Sequence, residues 1–97
     1  MDGRIRTLVE TEEYRQRLAA LGQIKRLDEA LRGAMFAIAA NAEIFAQDPN
    51  FPSIRYAFIR GVQTPHRSWP KLVIRFRITS ESDIDLLDIG PAAIEEG

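Results

Sequence analysis

The sequence predicts an α+β protein of two layers, and three observations carry that prediction. The hydrophobic period switches from near 3.6 to 2 after Pro52, Gly22 divides the helical half in two, and residues 71–90 alternate like a hairpin. The expected order is β-α-α-β-β-β: an N-terminal strand, a helical hairpin, then a three-stranded antiparallel meander. Both helices pack on one sheet face.

Each element has its own signal. Arg4 to Val9 (RIRTLV) is short and rich in apolar and β-branched residues, and reads as the first strand. Thr11 reads as a helix N-cap, and Glu12 and Glu13 follow in the first turn, where the helix dipole favours acid. Tyr14, Leu18 and Leu21 then mark one apolar face of a helix that stops at Gly22. A second helix is expected from about Gln23 to Ala46, because Ile24, Leu27, Leu31, Met35, Ile38, Ala42 and Phe45 keep to spacings of three and four. Phe36, Ala40 and Ile44 flank that stripe and are expected to pack on the first helix, with reception of a partner's helix the alternative. Asp48-Pro49-Asn50 closes the helical half, and two helices joined at one glycine make an αα-hairpin.

Beyond Pro52, Ile54 to Ile59 is a candidate strand and 61–70 a turn-rich connector holding the single His and single Trp. Lys71 to Thr79 is the clearest strand, with Leu72, Ile74, Phe76 and Ile78 on one side and Lys71, Val73, Arg75 and Arg77 on the other. Ile84 to Ile89 is the last strand, and 91–97 reads as a loose acidic tail. In a hairpin around Ser80–Ser82, Ile78 faces Ile84, Phe76 faces Leu86, Arg77 faces Asp85 and Thr79 faces Asp83. A one-residue slip would turn the apolar set outward and break the Arg77–Asp85 match. Continued without interruption, the register puts Leu87 opposite Arg75 and leaves that arginine unpartnered.

Composition narrows the function classes. At 97 residues, the chain is read as one domain. It has no cysteine, which excludes a disulfide framework, a thiolate zinc site and a cysteine nucleophile. No apolar run reaches the length of a membrane span, and MDGRIRTLVE lacks the apolar core of a secretory signal, so a cytoplasmic protein is expected. One histidine and scattered carboxylates give no metal-ligand cluster, and no glycine-rich phosphate loop occurs, so neither metal nor cofactor is expected. Charge is segregated: residues 49–80 hold six basic and no acidic side chains, and 81–97 hold six acidic and no basic ones. The basic block can bind phosphate, and the acidic segment can mask it in space.

Several features together carry a family resemblance: the element order, the N-cap near residue 11, LG after the first helix, DP after the second, and the closing stretch VIRFRITSESDIDLLDIG. With Val73-Ile74-Arg75-Phe76-Arg77-Ile78, the polar turn 80–82 and Leu87-Asp88-Ile89-Gly90, the chain resembles the RelE/ParE superfamily of toxin–antitoxin toxins. The resemblance implies a cognate antitoxin that lays a helix along the helical hairpin or adds a strand to the sheet. It also implies either the ribosome and messenger RNA or DNA gyrase as target, and a homodimer is compatible with it. In the ribonuclease branch, a 2′-hydroxyl attacks the adjacent phosphate, which needs a base, cations for the developing charge and an acid for the leaving oxygen. On this resemblance Arg75, Arg77, Lys71 and His66 are the catalytic candidates, with Tyr56 a further acid–base candidate. Arg55, Arg60, Arg67 and Trp69 are candidates for RNA binding, Trp69 by stacking. The tail departs from the ribonuclease pattern: Gly90-Pro91-Ala92-Ala93-Ile94-Glu95 carries neither its histidine nor its tyrosine, and Phe76 stands where a tyrosine is common. The gyrase-poisoning branch lacks them too, so a non-catalytic binding toxin stands beside the nuclease reading.

Overall fold

The first strand, β1 (Thr7–Glu10), starts three residues later than the period suggests. The backbone N–H of Arg6 explains the shift: it donates to Ala39 O at 3.0 Å in the second helix, and the ladder begins only with Thr7 N–H on Ser82 O at 2.7 Å. The computed structural model describes residues 5–22, 25–63, 65, 68–69 and 71–92.

Helix α1 (Glu12–Leu21) begins and ends as its residues dictate. Thr11 Oγ1 accepts from the Tyr14 N–H at 3.2 Å, which satisfies one of the first turn's orphan donors. Its hydroxyl also donates to Leu86 O at 2.7 Å, so one side chain caps the helix and docks it on the sheet. Gly22 ends the helix at φ 86°, a region that favours glycine, with its N–H on Ala19 O.

Helix α2 (Lys25–Asn41) stops five residues before the expected Ala46. Asn41 leaves helical geometry at φ −142° and ψ 46°, a short 3₁₀ turn spans Ala42–Ile44, and the chain extends into β2 (Ala46–Gln47). Phe45 follows the apolar stripe because its ring packs edge-on against Phe76, at 5.5 Å between centroids, and not because it is helical. Periodicity alone cannot separate those two reasons.

The rest of the chain is β3 (Ile54–Ile59), β4 (Val62–Gln63), β5 (Ser68–Trp69), β6 (Leu72–Ile78) and β7 (Asp83–Pro91). The short β4 and β5 form a two-stranded ribbon inside the segment expected to be turn-rich. The main sheet has the order β1-β7-β6-β3-β2, with β3-β6-β7 the expected antiparallel meander. Strand β1 joins the free edge of β7 in parallel, with Leu8 opposite Ile84.

The hairpin has the expected register at its turn: Ile78 faces Ile84, Arg77 faces Asp85 and Phe76 faces Leu86. Between Arg75 and Phe76 the ladder shifts by one residue, so Arg75 faces Asp88 and Ile74 faces Ile89. Leu87 is the extra residue of this β-bulge, and the expectation of an unpartnered Arg75 opposite Leu87 is corrected. The bulge keeps Ile84, Leu86 and Ile89 on one buried face although their spacing is two and then three. Thr11 Oγ1 meets the carbonyls of both Leu86 and Leu87, so α1 docks at the bulge.

Both helices cover one face of the sheet. Tyr14, Leu27 and Ile38 pack there with Ile74, Phe76 and Leu86, all fully buried. Each aliphatic or aromatic side chain so buried contributes about 1.5–3 kcal/mol. Two of the residues flanking the stripe behave differently from expectation: Phe36 on α2 is 63% exposed and Ile44, in the 3₁₀ turn after it, 78% exposed, so they do not pack on α1. Among the described residues, no helix is long and apolar enough to cross a membrane.

Candidate functional site on the helix-free sheet face

Strand alternation decides what stands on the uncovered face. Ala57 and Ile59 point into the core, which turns Tyr56 and Phe58 outward. Across β6 the outward set is Val73, Arg75 and Arg77. The pairing gives cross-strand rows: Ile54–Arg77–Asp85, Tyr56–Arg75–Asp88 and Phe58–Val73–Gly90.

The middle row is a polar chain. Arg75 Nε donates to Asp88 Oδ1 at 2.9 Å and Oδ2 at 3.1 Å, and its Nη2 donates to Oδ2 as well. Asp88 is the more enclosed partner, its side chain 14% exposed against 45% for Arg75. This bond, opposed by burial, holds the Arg75 guanidinium pKa above its ordinary value. On the other side, the Tyr56 hydroxyl donates to Asp48 Oδ2. Asp48 also accepts from the N–H groups of Asn50 and Phe51, at 2.7 and 2.9 Å, an Asx-type turn that fixes the carboxylate. The Tyr56 bond is the largest cause that pushes the Asp48 carboxyl down, with the Asn50 N–H adding to it. The same bond pushes the Tyr56 phenol up, with burial adding and Arg75 opposing. In this geometry the Tyr56 hydroxyl is the donor of the pair and the Asp48 carboxylate the acceptor.

The outer rows are simpler. Arg77 and Asp85 form the expected pair at a loose 3.6 Å. Phe58 stands beside Tyr56 with centroids 6.2 Å apart and planes at 59°, and the Lys71 ammonium lies 5.5 Å from the Phe58 centroid. An open concavity of about 340 Å³ lies over this face, lined by Tyr56, Val73, Arg75, Asp88 and, from α1, Arg17.

The sequence-derived candidates thus divide. Arg75, Arg77 and Lys71 share the open face but not one place on it: Arg75 lies in the row of Tyr56, Arg77 in the row of Ile54, and Lys71 beside Phe58. Arg60 is exposed just past the end of β3. Arg55 serves the fold: its Nη1 donates to Glu43 O at 3.0 Å and Phe45 O at 2.7 Å, taking carbonyls that the end of the 3₁₀ turn leaves open. His66 and Arg67 lie outside the described residues, and Trp69 is described only as backbone in β5. Sequence reasoning missed Asp48, Asp88 and Phe58. The Phe58 signal was available, since it shares period-2 phase with Tyr56 in IRYAFI; the Asp88 signal lay in the adjacent leucines of DLLD. Among the described residues, no group of three or more His, Cys, Asp or Glu gathers as a metal site. Compared with protein-family models, with curated proteins and with solved structures, the chain matches none.

Proposed function

We propose that the chain is a toxin of the RelE/ParE type, held in check by a cognate antitoxin, that acts by binding a macromolecular target through the helix-free face of its sheet. The observation that carries this reading is the make-up of that face. Two aromatic rings and the side chains of Lys71 and Arg75 stand side by side on a surface that neither helix covers.

The same geometry favours binding over cleavage. Arg75 and Arg77 each face a carboxylate of β7, so the charge they offer a phosphate is largely neutralised. Tyr56 holds its proton toward Asp48, and the carboxylates of Asp85 and Asp88 are each engaged by an arginine. A ribosome-dependent messenger RNA endoribonuclease is the second reading. It is favoured by the concavity onto which Arg17, Tyr56 and Arg75 open, where cations and a phenol could meet a phosphodiester.

Induction in a bacterial host with ribosome profiling separates the two. Codon-phased cuts would establish the nuclease and overturn the binding reading. Growth arrest with intact messages supports binding, and an accompanying SOS response assigns gyrase as the target. Harmless induction contradicts both.

A further inference from the structure

We infer that the groove between α2 and the end of β3 is a binding site for a free apolar α-amino acid, which completes the sheet edge at the main chain of Phe58. The site lies at the edge of the sheet, and it stands or falls independently of the toxin reading.

The ladder leaves one residue of β3 open. Strand β2 pairs with it only at Gln47–Arg55 and Ala46–Tyr56. On that same edge the Asp48 N–H donates to Ile54 O. Main-chain groups alternate between the two edges of a strand, so Ile54, Tyr56 and Phe58 all turn theirs away from β6. Continuing the register would set Ile44 opposite Phe58, but Ile44 belongs to the 3₁₀ turn. Among the described residues the Phe58 N–H and C=O therefore have no partner, and β3 ends one residue later at Ile59. One donor and one acceptor on a bare edge match a single residue and not a whole added strand.

An open groove of about 400 Å³ lies against this position, lined by Glu29, Ala30, Gly33 and Ala34 of α2 and by Phe58 and Arg60 at the end of β3. That is the size of a small-molecule site, and its walls have the usual make-up of apolar surface with a few polar groups. Glu29 and Arg60 are exposed, and among the described residues neither enters an ion pair or a side-chain hydrogen bond. Arg6, Arg17, Arg75 and Arg77, by contrast, are each held by a carboxylate. One groove thus offers an acid, a base, and a main-chain donor and acceptor, which is the complement of a zwitterion. An α-ammonium has donors for Phe58 O and the Glu29 carboxylate, and an α-carboxylate has acceptors for the Phe58 N–H and the Arg60 guanidinium. The ligand's side chain lies along Ala30 and Ala34. Gly33 keeps that space open, since a Cβ added there would meet nothing within 4 Å. A hydrogen bond to a charged group shifts an equilibrium roughly ten- to a hundredfold, whereas an exposed ion pair shifts one by at most about fivefold. The main chain of Phe58 therefore carries the recognition, and Glu29 and Arg60 orient the ligand.

Titration of the isotope-labelled full chain with L-leucine, followed through the backbone amide shifts by NMR, tests the inference. The Phe58 amide should move saturably. N-acetyl-leucine amide keeps the side chain but neither charge, and should bind roughly tenfold or more weakly. Glu29→Gln and Arg60→Gln should each weaken leucine binding by up to about fivefold. Gly33→Leu puts a side chain into the groove from an exposed helix position where leucine is the better helix former, so it should abolish binding without lowering Tm. No saturable shift of the Phe58 amide, or leucine binding by Gly33→Leu as strong as that by the wild type, would each overturn the site. Equal binding of the blocked compound would overturn it too, because it would mark the edge as a receiver of peptide chain and not of a free amino acid.

Discussion

Tyr14 offers a sharp test of how the fold is held. Its side chain is fully buried under α1, and its hydroxyl is the one buried side-chain polar atom without a hydrogen-bond partner among the described residues. Leaving such a group unpaired costs about 1–3 kcal/mol, whereas the ring contributes packing that truncation would forfeit. Tyr14→Phe keeps the ring and removes the penalty, so it should stabilise the protein by about 1 kcal/mol, which for a domain of this size raises Tm by roughly 4–8 °C. Tyr14→Ala should instead cost about 3–5 kcal/mol through the cavity it leaves. Thermal unfolding by circular dichroism, paired with urea titration, reads both. Burial also pushes the Tyr14 phenol above its ordinary pKa, with the charge of Glu10 adding, and the bond to Asp48 does the same to Tyr56. These are the chain's two tyrosines, so ultraviolet titration of the folded protein should show no phenol ionising at the ordinary value of 10.0. A Tyr14→Phe variant less stable than the wild type by 1 kcal/mol or more, or a phenol titrating normally, would refute the argument.

Three further outcomes follow from side chains that join elements. Thr11→Ala removes both a helix cap and a hydrogen bond to the bulge, so it should cost about 2 kcal/mol in urea unfolding, twice the loss typical of a cap alone. Arg75→Ala strips the partner from the enclosed Asp88 and should cost about 1–2 kcal/mol, while Arg77→Ala breaks a looser, more exposed pair and should cost under about 1 kcal/mol in the same assay. Glu43 is held below the ordinary carboxylate range chiefly by the Arg6 side chain, and Asp48 chiefly by Tyr56. Their stabilising effect is therefore complete above roughly pH 4.5 and is lost as pH falls through the lowered folded values, and Glu43→Gln with Asp48→Asn should flatten that acid limb in urea unfolding followed from pH 7 to 3.

Much of the fold was legible where two independent patterns agreed. The hairpin turn is the clearest case, since the apolar alternation and the Arg77–Asp85 charge match demanded one register. Thr11 and Gly22 were legible because an N-cap and a positive-φ stop each need a restricted set of residues. The bulge was missed because two-fold alternation was extended past the paired leucines of DLLD. An extra residue there is what lets Ile84, Leu86 and Ile89 share a face. The end of α2 was missed because Phe45 keeps the apolar spacing of the helix before it while meeting the core from an extended backbone. Partners distant in sequence, such as Asp48 for Tyr56 and Ala39 O for the Arg6 N–H, depend on how elements dock and leave no periodic trace. The site was legible in its basic residues and not in their neutralisation, because the register shift that brings Asp88 to Arg75 comes from that bulge.

The central claim is that the helix-free sheet face is the working surface, and growth of a bacterial host after induction tests it directly. Phe58 on that face and Phe36 on α2 are both exposed apolar rings, so glutamate at either position leaves the core untouched. The account predicts that wild type and Phe36→Glu arrest growth in the absence of antitoxin, while Phe58→Glu, equally well expressed and folded, does not. Arrest by Phe58→Glu as strong as that by the wild type, or no arrest by the wild type, would contradict it.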